Sequence, residues 1–114
     1  MQDANCLFCK IAGGSIAADV VDSTDQVVAF RDVNPQAPTH ILVIPRDHIP
    51  NAAAAADRDV WQALMSAAAR IALREGLGES GYRLVINSGP DAGQSVDHLH
   101  VHVLGGRRLA WPPG

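Results

Sequence analysis

The sequence is short of charged and aromatic residues, and it has no excess of basic ones. Charged side chains make up 18% of the 114 residues, aromatic side chains make up 4%, and the formal net charge is −3. A broad nucleic-acid-binding surface requires clustered basic residues, so this charge balance excludes one. Arg107-Arg108 is the only adjacent basic pair. The composition is still compatible with a small anionic ligand, because backbone amides and helix ends bind phosphate without net positive charge.

Long apolar runs are absent as well. No stretch approaches the roughly 20 apolar residues that a transmembrane helix needs. Residues 1–5 carry neither the basic nor the apolar segment of a secretory signal. We therefore expect one domain over residues 1–114, free of membrane association and located in the cytoplasm. Apolar residues amount to 47% of the chain, which is enough for a single core.

Cysteine is scarce, since Cys6 and Cys9 are the only two, and they form a C-x-x-C motif. In a reducing compartment this spacing favours metal binding or redox chemistry over a structural disulfide. Redox activity is the less favoured of the two, because the surrounding residues lack the βαβ pattern of a thioredoxin-like domain.

Apolar periodicity and turn residues predict several short strands and one long helix. We predict strands over residues 20–21, 27–31, 41–45, 82–87 and 95–104, a short helix over 6–12, and a long helix that Asp57 or Asp59 caps and that runs to about Glu75. Gly13-Gly14 and Gly76 are expected to end the two helices. Residues 52–56 fit either a helical turn or an irregular connection. The pattern indicates an α+β fold on an antiparallel sheet.

The most informative stretch is His98-Leu99-His100-Val101-His102, in which histidines alternate with apolar residues. In a strand this period of two would place the imidazoles on one face and the apolar side chains on the other.

Three interpretations of the histidine run compete. The rings could share one metal ion, although three in a straight row converge poorly. They could have no chemical role, which suits a lone histidine better than three. One ring could instead be a nucleophile that its neighbour tunes.

The loop before the histidines favours the nucleophile. A neutral imidazole nitrogen attacks phosphorus well and leaves well, provided that an acceptor holds its other nitrogen. Gly93-Gln94-Ser95 directly precedes the histidine run, and backbone N–H groups in such a turn can hold phosphate oxygens. The order of loop and histidine run predicts covalent catalysis of phosphoryl or nucleotidyl transfer.

The histidine run resembles the motif of the histidine triad (HIT) family, and further blocks resemble its Hint branch. The blocks are Phe8-x-Lys10-Ile11, Ala29-Phe30-Arg31-Asp32, Pro35-Gln36-Ala37-Pro38-Thr39-His40, Val43-Ile44-Pro45-Arg46, Gly93-Gln94-Ser95-Val96, Gly105-Gly106-Arg107 and Trp111-Pro112-Pro113-Gly114. The resemblance implies a HIT-like α+β fold: a five-stranded antiparallel sheet with one long and one short helix. It also implies a homodimer with a continuous ten-stranded sheet.

The resemblance implies an activity too, namely hydrolysis of nucleoside 5′-phosphoramidates and acyl-nucleotides. The route would be a covalent nucleotidyl-histidine, and the product a purine nucleoside monophosphate, with no catalytic cofactor. Three alternatives stay open. One is a dinucleoside polyphosphate hydrolase, against which the ending Trp111-Pro112-Pro113-Gly114 argues. The others are a nucleotide-sensing interaction module with little catalysis and a structural zinc-binding protein.

Residue roles follow from the same resemblance. His100 matches the nucleophile, His102 its supporting neighbour, His40 a member of the proton network, and Asp32 the carboxylate that binds the ribose hydroxyls. The apolar walls of the base pocket match Phe8, Ile11, Ile16, Phe30, Val33 and Leu42; the phosphate and leaving-group side matches Asn87, Gly93, Gln94 and Ser95; and Trp111 matches a tail residue that reaches the partner's site. Backbone amides near Ser95 would stabilise the developing charge.

A metal site is the last implication of the resemblance. In some bacterial relatives the corresponding residues bind zinc, and Cys6, Cys9, His48 and His98 fill all four positions here. A Cys₂His₂ set suits a closed, structural Zn²⁺ site that would tie the N-terminal helix to the sheet. The alternative is a pair of free thiols and a solvent-exposed His48. One departure from the Hint pattern is Asp97, where an aromatic residue is usual; we expect its carboxylate to lie away from His100.

Overall fold

The computed structural model describes residues 3–114, which form one antiparallel sheet with helices on both faces. The strands are β1 (Val20–Ser23), β2 (Val27–Arg31), β3 (Thr39–Pro45), β4 (Tyr82–Val85) and β5 (Val101–Gly105), and the α-helices are α1 (Leu7–Ala12) and α2 (Trp61–Arg74). The strand order is β1-β2-β3-β5-β4, and every neighbouring pair is antiparallel. The predicted α+β fold, with five antiparallel strands and one short and one long helix, is confirmed.

The strands alternate between two apolar clusters, one on each face of the sheet. The cluster on the α2 face includes Val27, Ala29, Ile41, Val43, Leu64, Ile71, Leu99, Val101 and Val103, and the cluster on the α1 face is Phe8, Val28, Phe30, Leu42 and Ile44. This is the period of two expected for strands that are covered on both sides. The side chains of His40 and His102 alternate with residues of the α2 cluster, so both belong to the α1 face.

Glycine ends both helices, as predicted. After α2, Gly76 adopts a positive φ of 80°, and the N–H of Leu77 donates to the carbonyl of Ala72 at 3.0 Å. These are the features of a Schellman cap, which needs a left-handed residue. The predicted acidic cap at the start of α2 is wrong. Val60 holds the cap position, and no side chain caps the helix.

The predicted strand over residues 95–104 is wrong in its first half, because β5 begins only at Val101. β4 ends at Val85, opposite His102, and the pairing of β3 with β5 ends at the Val43–Val101 pair although β3 itself continues to Pro45. The segment before β5 instead bonds to a loop, with the N–H of Leu99 donating to the carbonyl of Ile49 at 2.7 Å. Leu99 still packs in the cluster on the α2 face while His100 lines the cavity on the α1 face, so these two neighbours keep opposite faces without sheet pairing.

Three further strand boundaries differ by two residues from those predicted. β4 ends at Val85 rather than Asn87, β1 extends to Ser23, and β3 begins at Thr39. Residues 53–55 form a short 3₁₀ turn, which settles the ambiguity of the alanine-rich stretch. A second 3₁₀ turn, Pro90–Ala92, lies in the predicted loop before the histidines. Among the described residues, neither helix has both the length and the apolar character needed to span a bilayer.

Candidate functional site

A cavity of about 500 Å³ opens on the α1 face of the sheet. Its walls include all of the apolar residues predicted for the base pocket: Phe8, Ile11, Ile16, Phe30, Val33 and Leu42. Asp32, His40, Ser95, His100 and His102 also line it. An apolar pocket with a few convergent polar groups is the usual form of a small-molecule site.

The His100 ring lies at the inner end of this cavity with a defined tautomer. Its Nδ1 is 2.7 Å from the backbone carbonyl of His98, which can only accept a hydrogen bond. Nδ1 therefore carries the proton, and Nε2 keeps a free lone pair. Phe8 contacts the ring edge-on, with ring centroids 5.2 Å apart. His100 thus presents an unprotonated nitrogen on a ring that is 5% exposed.

His40 and His102 form a hydrogen-bonded pair of the opposite polarity, which we call the relay. The backbone N–H of Gln36 donates to Nδ1 of His40 at 3.0 Å, so the proton of the neutral ring lies on Nε2. That Nε2 is 2.9 Å from Nδ1 of His102, which must accept. The second nitrogen of His102, Nε2, therefore carries a proton. One backbone amide thereby determines the tautomers of two rings.

The Nε2 atom of His102 is buried and has no hydrogen-bond partner in the described chain. Burial, together with the neighbouring His100 and His40 rings, lowers the pKa of His102 to about 4. Burial also lowers the pKa of His40, although the Asp32 carboxylate opposes that shift. At neutral pH, His102 is therefore a neutral ring with an unused N–H donor. An unpaired buried donor costs free energy, which a ligand oxygen would recover.

Asp32 has two contacts within the chain. Its Oδ1 accepts from the backbone N–H of Asn34 at 2.8 Å, which is an Asx turn, and its Oδ2 lies 3.5 Å from Nε2 of His40. The carboxylate still lines the cavity. Each carboxylate oxygen has two lone pairs, so both can accept a further hydrogen bond from a ligand.

Ser95 and Gln94, in the loop before the histidines, have different roles. Ser95 lines the cavity, but Gln94 does not, because its side-chain amide donates to the carbonyls of Pro50 at 2.8 Å and Val96 at 3.0 Å. Its Oε1 accepts from the N–H of Gly89 at 2.9 Å. Gln94 thus holds the loop rather than offering a free donor.

Three further residues of the expected nucleotide site, Asn87, Gly93 and Trp111, lie outside the cavity lining. Gly93 adopts the left-handed conformation that ends the 3₁₀ turn, which explains why glycine occupies this position. Trp111 is 80% exposed, and the Arg83 guanidinium carbon lies 5.9 Å from its ring centroid. Asp97 is exposed and outside the lining, as expected.

Cys6, Cys9, His48 and His98 come together beside the cavity, and we call them the thiol–imidazole cluster. One potential ligand atom from each lies within 4.8 Å of the others. Nδ1 of His98 is 3.3 Å from Sγ of Cys6 and 3.5 Å from Sγ of Cys9, and Nδ1 of His48 is 3.4 Å from Sγ of Cys9. A tetrahedral zinc ion, with Zn–S of about 2.3 Å and Zn–N of about 2.0 Å, would place nitrogen and sulfur roughly 3.5 Å apart.

The surroundings of the thiol–imidazole cluster suit a cation. Nε2 of His98 is 2.8 Å from the carbonyl of Pro45, so Nδ1 is unprotonated and faces the sulfurs. The backbone N–H groups of Cys9 and Asp3 each point at a sulfur at 3.4 Å, on Cys6 and Cys9 respectively. Burial, together with the neighbouring Cys6 thiol, raises the pKa of Cys9, and burial, together with the His48 and His100 rings, lowers the pKa of His98. A bound cation would offset the cost of thiolate in this buried position. The cluster therefore fits a structural zinc ion.

Sequence reasoning missed the backbone groups that set the tautomers. The N–H of Gln36 and the carbonyls of Pro45 and His98 determine three ring orientations. Backbone groups have no residue signature. The proline-bracketed turn before His40 was the available signal for the first of them, because a rigid loop can aim an amide.

Three comparisons with known proteins agree with this geometry. Residues 14–109 match the family model described as the HIT domain. The chain is 48% identical to a "14 kDa zinc-binding protein" of Zea mays, covering 100% of this chain and 91% of that protein. It is 47% identical to "Adenylylsulfatase HINT1" of Arabidopsis thaliana, covering 99% and 79%.

Solved structures give the same result. A HIT family hydrolase from Legionella pneumophila superposes with a TM-score of 0.93 at 49% identity, covering 96% of this chain and 100% of that one. A zinc-bound histidine triad family protein from Mycobacterium smegmatis superposes with a TM-score of 0.79 at 31% identity, covering 90% and 76%. With its histidine run, its cavity and these relatives, the chain belongs to the HIT domain family.

Proposed function

We propose that this chain hydrolyses nucleoside 5′-phosphoramidates and acyl-nucleotides through a covalent nucleotidyl-histidine on His100. The observation that carries the proposal is the orientation of this ring. The His98 carbonyl holds Nδ1–H at 2.7 Å, which leaves the Nε2 lone pair for attack on phosphorus. The Legionella relative, named as a hydrolase, and the Arabidopsis relative, named as an adenylylsulfatase, support a hydrolytic reaction.

In the first step, Nε2 of His100 forms a bond to the α-phosphorus, and the bond from phosphorus to the leaving amine or acid breaks. The leaving group takes the bonding electrons, and an amine also takes a proton from solvent water. The relay from His40 to His102 ends at the unpartnered Nε2–H of His102, which suits a hydrogen bond to a phosphate oxygen. A donor already in place stabilises the growing charge without further reorganisation.

In the second step, water attacks the phosphorus of the nucleotidyl-histidine, the bond to Nε2 breaks, and the proton of the attacking water passes to solvent. The nucleoside monophosphate leaves, and His100 recovers its lone pair. Its Nδ1–H keeps the His98 carbonyl as acceptor throughout, so the ring need not change tautomer between the two attacks. Splitting one difficult displacement into two easier ones is the advantage of covalent catalysis.

The cavity that His100 lines also suits the nucleoside part of the substrate. Phe8 and Phe30 meet edge-to-face, with centroids 5.4 Å apart, and form part of an apolar wall for a flat base. The Asp32 carboxylate is placed to accept from the ribose hydroxyls. We keep the expectation of a purine base, which has the larger apolar face.

The direct test is to trap the intermediate. The protein is mixed with adenosine 5′-phosphoramidate, quenched in denaturant, and analysed by mass spectrometry of peptides. We expect an adenylate on the peptide that contains His100, and none on the His100→Ala variant. The Arg70→Ala variant, altered on the outer face of α2, should be adenylated like wild type. Turnover without a covalent intermediate, or an adenylate on another residue, would contradict the mechanism.

A second substrate class is an adenylyl sulfate, which the adenylylsulfatase of Arabidopsis thaliana favours. The same attack on phosphorus would expel sulfate instead of an amine. Comparing kcat/KM for adenosine 5′-phosphoramidate, adenosine 5′-phosphosulfate and diadenosine tetraphosphate ranks the two proposed classes against the polyphosphate alternative. We expect the polyphosphate to be the slowest.

We also propose that the thiol–imidazole cluster holds a structural Zn²⁺ through Cys6, Cys9, His48 and His98. The separations near 3.4 Å and the bare Nδ1 of His98 support it. So do the zinc-binding maize relative and the zinc-bound mycobacterial neighbour. Metal analysis of the purified chain should give about one zinc per chain, and none in Cys9→Ser.

A homodimer belongs to the same proposal. β4 is an edge strand with β5 as its only sheet neighbour in the described chain, so its outer side is free to pair with a second copy. Trp111 extends from the tail next to Arg83 of β4, where it could reach a partner. Light scattering of the intact chain tests this directly, and a monomer at working concentrations would contradict it.

A further inference from the structure

We propose that Cys6, Cys9 and His98 are positioning residues of the reactive ring. An ion in the thiol–imidazole cluster would hold two parts of the cavity in place: the His98 carbonyl that orients His100, and helix α1, which carries part of the wall. This inference rests on the proposed function. It extends that function from what the cluster binds to what the cluster does for His100.

The first link is within His98 itself. Its ring is completely buried between the Pro45 carbonyl and the two sulfurs, and its own carbonyl accepts from Nδ1 of His100. One residue therefore has its ring in the cluster and its carbonyl at the reactive group. Residues 98–100 lie before β5, so the peptide that carries this carbonyl is held by its Leu99 N–H, which donates to the Ile49 carbonyl at 2.7 Å, and not by a sheet ladder. Ile49 directly follows His48, so both the His98 ring and the residue that anchors this peptide are connected to the cluster.

The second link is helix α1. It has only six residues, and a helix this short has little stability of its own. Cys6 is its N-cap and Cys9 lies in its first turn, so both thiols are at the end beside His98. Phe8, between them, contacts the His98 and His100 rings, with centroid distances of 6.0 Å and 5.2 Å. Anchoring the thiols therefore also places Phe8 against the reactive ring.

An ion changes the strength of both links. Without one, the cluster is joined by S–H···N hydrogen bonds, and a thiol is a weak donor. With one, four coordinate bonds connect α1, His48 after β3, and His98 before β5. Because ion binding is coupled to the arrangement of its ligands, the geometry of α1 and His98 should sharpen when the ion binds.

The alternative is that the cluster only adds overall stability. Overall stability would leave the folded protein's nucleotide affinity and the His100 ring unchanged when the ion is removed. A positioning role changes both in a chain that is still folded. This difference makes the two roles separable by experiment.

The test compares zinc-loaded and chelated wild-type chain, both shown to be folded by circular dichroism. We measure the Kd for adenosine monophosphate by calorimetry, kcat and KM for adenosine 5′-phosphoramidate, and the ring ¹⁵N signals of His100 by NMR. On chelation we expect kcat to fall by about tenfold or more. Residues that orient a functional side chain without touching the substrate typically have effects of this size. We expect Kd to rise a few-fold and the His100 signals to shift or broaden. Zinc should restore all three.

Two variants guard against a trivial result. The first variant, His48→Ala, is used if the chelated wild type unfolds. It keeps both thiols and His98 but loses one ligand. At zinc concentrations that saturate wild type, it should show the same changes in kcat, Kd and the His100 signals. Ile71→Ala, a buried residue of α2 facing the other side of the sheet, supplies a comparable loss of stability without touching the cluster. It should leave the His100 signals and kcat as in wild type.

The proposal is overturned if the ion-free folded chain keeps the Kd and the His100 signals of the loaded one. It is also overturned if Ile71→Ala changes them equally. Failure of the proposed function looks different, because the loaded wild type would then cleave no nucleotide conjugate. The ring signals of His100 need no substrate and still decide the positioning role.

Discussion

The two ends of the histidine run use the same side chain in opposite ways. His98 gives its N–H to the Pro45 carbonyl and turns a bare nitrogen toward two thiols. His102 accepts from His40 and turns an N–H inward, toward no protein partner. His100, between them, gives its N–H to a carbonyl and keeps a bare nitrogen for the cavity. The backbone group that occupies one nitrogen decides what the other can do.

The same comparison separates two groups that both have metal-binding side chains. Asp32, His40 and His102 also place ligand atoms within 4.8 Å of one another. The Gln36 N–H occupies Nδ1 of His40, however, so the nitrogen that faces this group carries a proton. That arrangement suits a proton relay, whereas the thiol–imidazole cluster presents bare nitrogens and sulfurs to an ion. Composition alone does not distinguish the two.

The largest effect should come from the middle ring. His100→Ala removes the proposed nucleophile, so we expect turnover of adenosine 5′-phosphoramidate to fall by about a thousandfold or more. The Kd for adenosine monophosphate should stay within a few-fold, because the walls of the cavity are unchanged. Steady-state kinetics and calorimetry measure the two quantities. Retention of full activity would refute the proposed nucleophile.

Cys9 contacts His98, at the other end of the histidine run. We expect Cys9→Ser to lower stability more than it lowers activity. Loss of a ligand releases the proposed zinc, and we expect the free energy of unfolding to fall by roughly 3 kcal/mol or more. Urea unfolding with parallel metal analysis measures this. An equal midpoint for the chelated and loaded wild type would show that no ion stabilises the fold.

Acid should destabilise the relay end. The pKa of His102 is about 4 in the folded chain and 6.5 in the unfolded chain, so the unfolded state binds the extra proton first. Stability contributed by the neutral ring is complete above pH 6.5 and is lost as the pH falls toward 4. Urea midpoints across this window should decline less steeply for His102→Gln than for wild type. Parallel curves would show that His102 does not titrate in this way.

Removing the backbone N–H of Gln36 tests whether this donor keeps Asp32, His40 and His102 from binding a metal ion. Gln36→Pro deletes the N–H that holds Nδ1 of His40 and frees that ring to change tautomer. We expect kcat to fall by about tenfold and inhibition by added zinc to become stronger than in wild type. Thermal unfolding checks that the loop tolerates proline. Unchanged sensitivity to zinc would remove the proposed role of this amide.

The smallest effect should come from a substitution far from both ends of the histidine run. Arg70→Ala breaks an exposed ion pair of 3.1 Å between α2 and Asp22. Exposed pairs contribute about 1 kcal/mol or less, so stability and turnover should hardly change. A large loss of activity would mean that the α2 face takes part in the reaction.

The sequence predicted most of the fold, and most of the residues that it proposed for the site lie around one cavity. Alternation through Leu99, Val101 and Val103 correctly assigned the inward face, because burial depends on side-chain polarity that a sequence displays. It did not show that β5 begins at Val101, since the start of a strand depends on where hydrogen-bonded pairing with its neighbours begins. The base-pocket residues, Phe8 and Phe30 among them, do line one cavity, as the family resemblance implied.

What the sequence could not supply was the protonation pattern. The tautomers depend on the carbonyls of His98 and Pro45 and the amide of Gln36, which any residue type provides. Gln94 shows the same limit. Its side chain was expected to donate on the phosphate side, whereas a neighbouring proline carbonyl engages it as a brace. Assignments that depend on a side chain's free donors require the three-dimensional partners.

The most direct test is an NMR measurement of the histidine ring nitrogens in the zinc-loaded chain, at a pH where the rings are neutral. Long-range ¹H–¹⁵N correlations report which nitrogen of each ring carries the proton. The account predicts a proton on Nδ1 of His100 and on Nε2 of His102, with Nδ1 of His98 bound to the metal. A proton on Nε2 of His100 would place a donor where the attacking lone pair must be, and would contradict it.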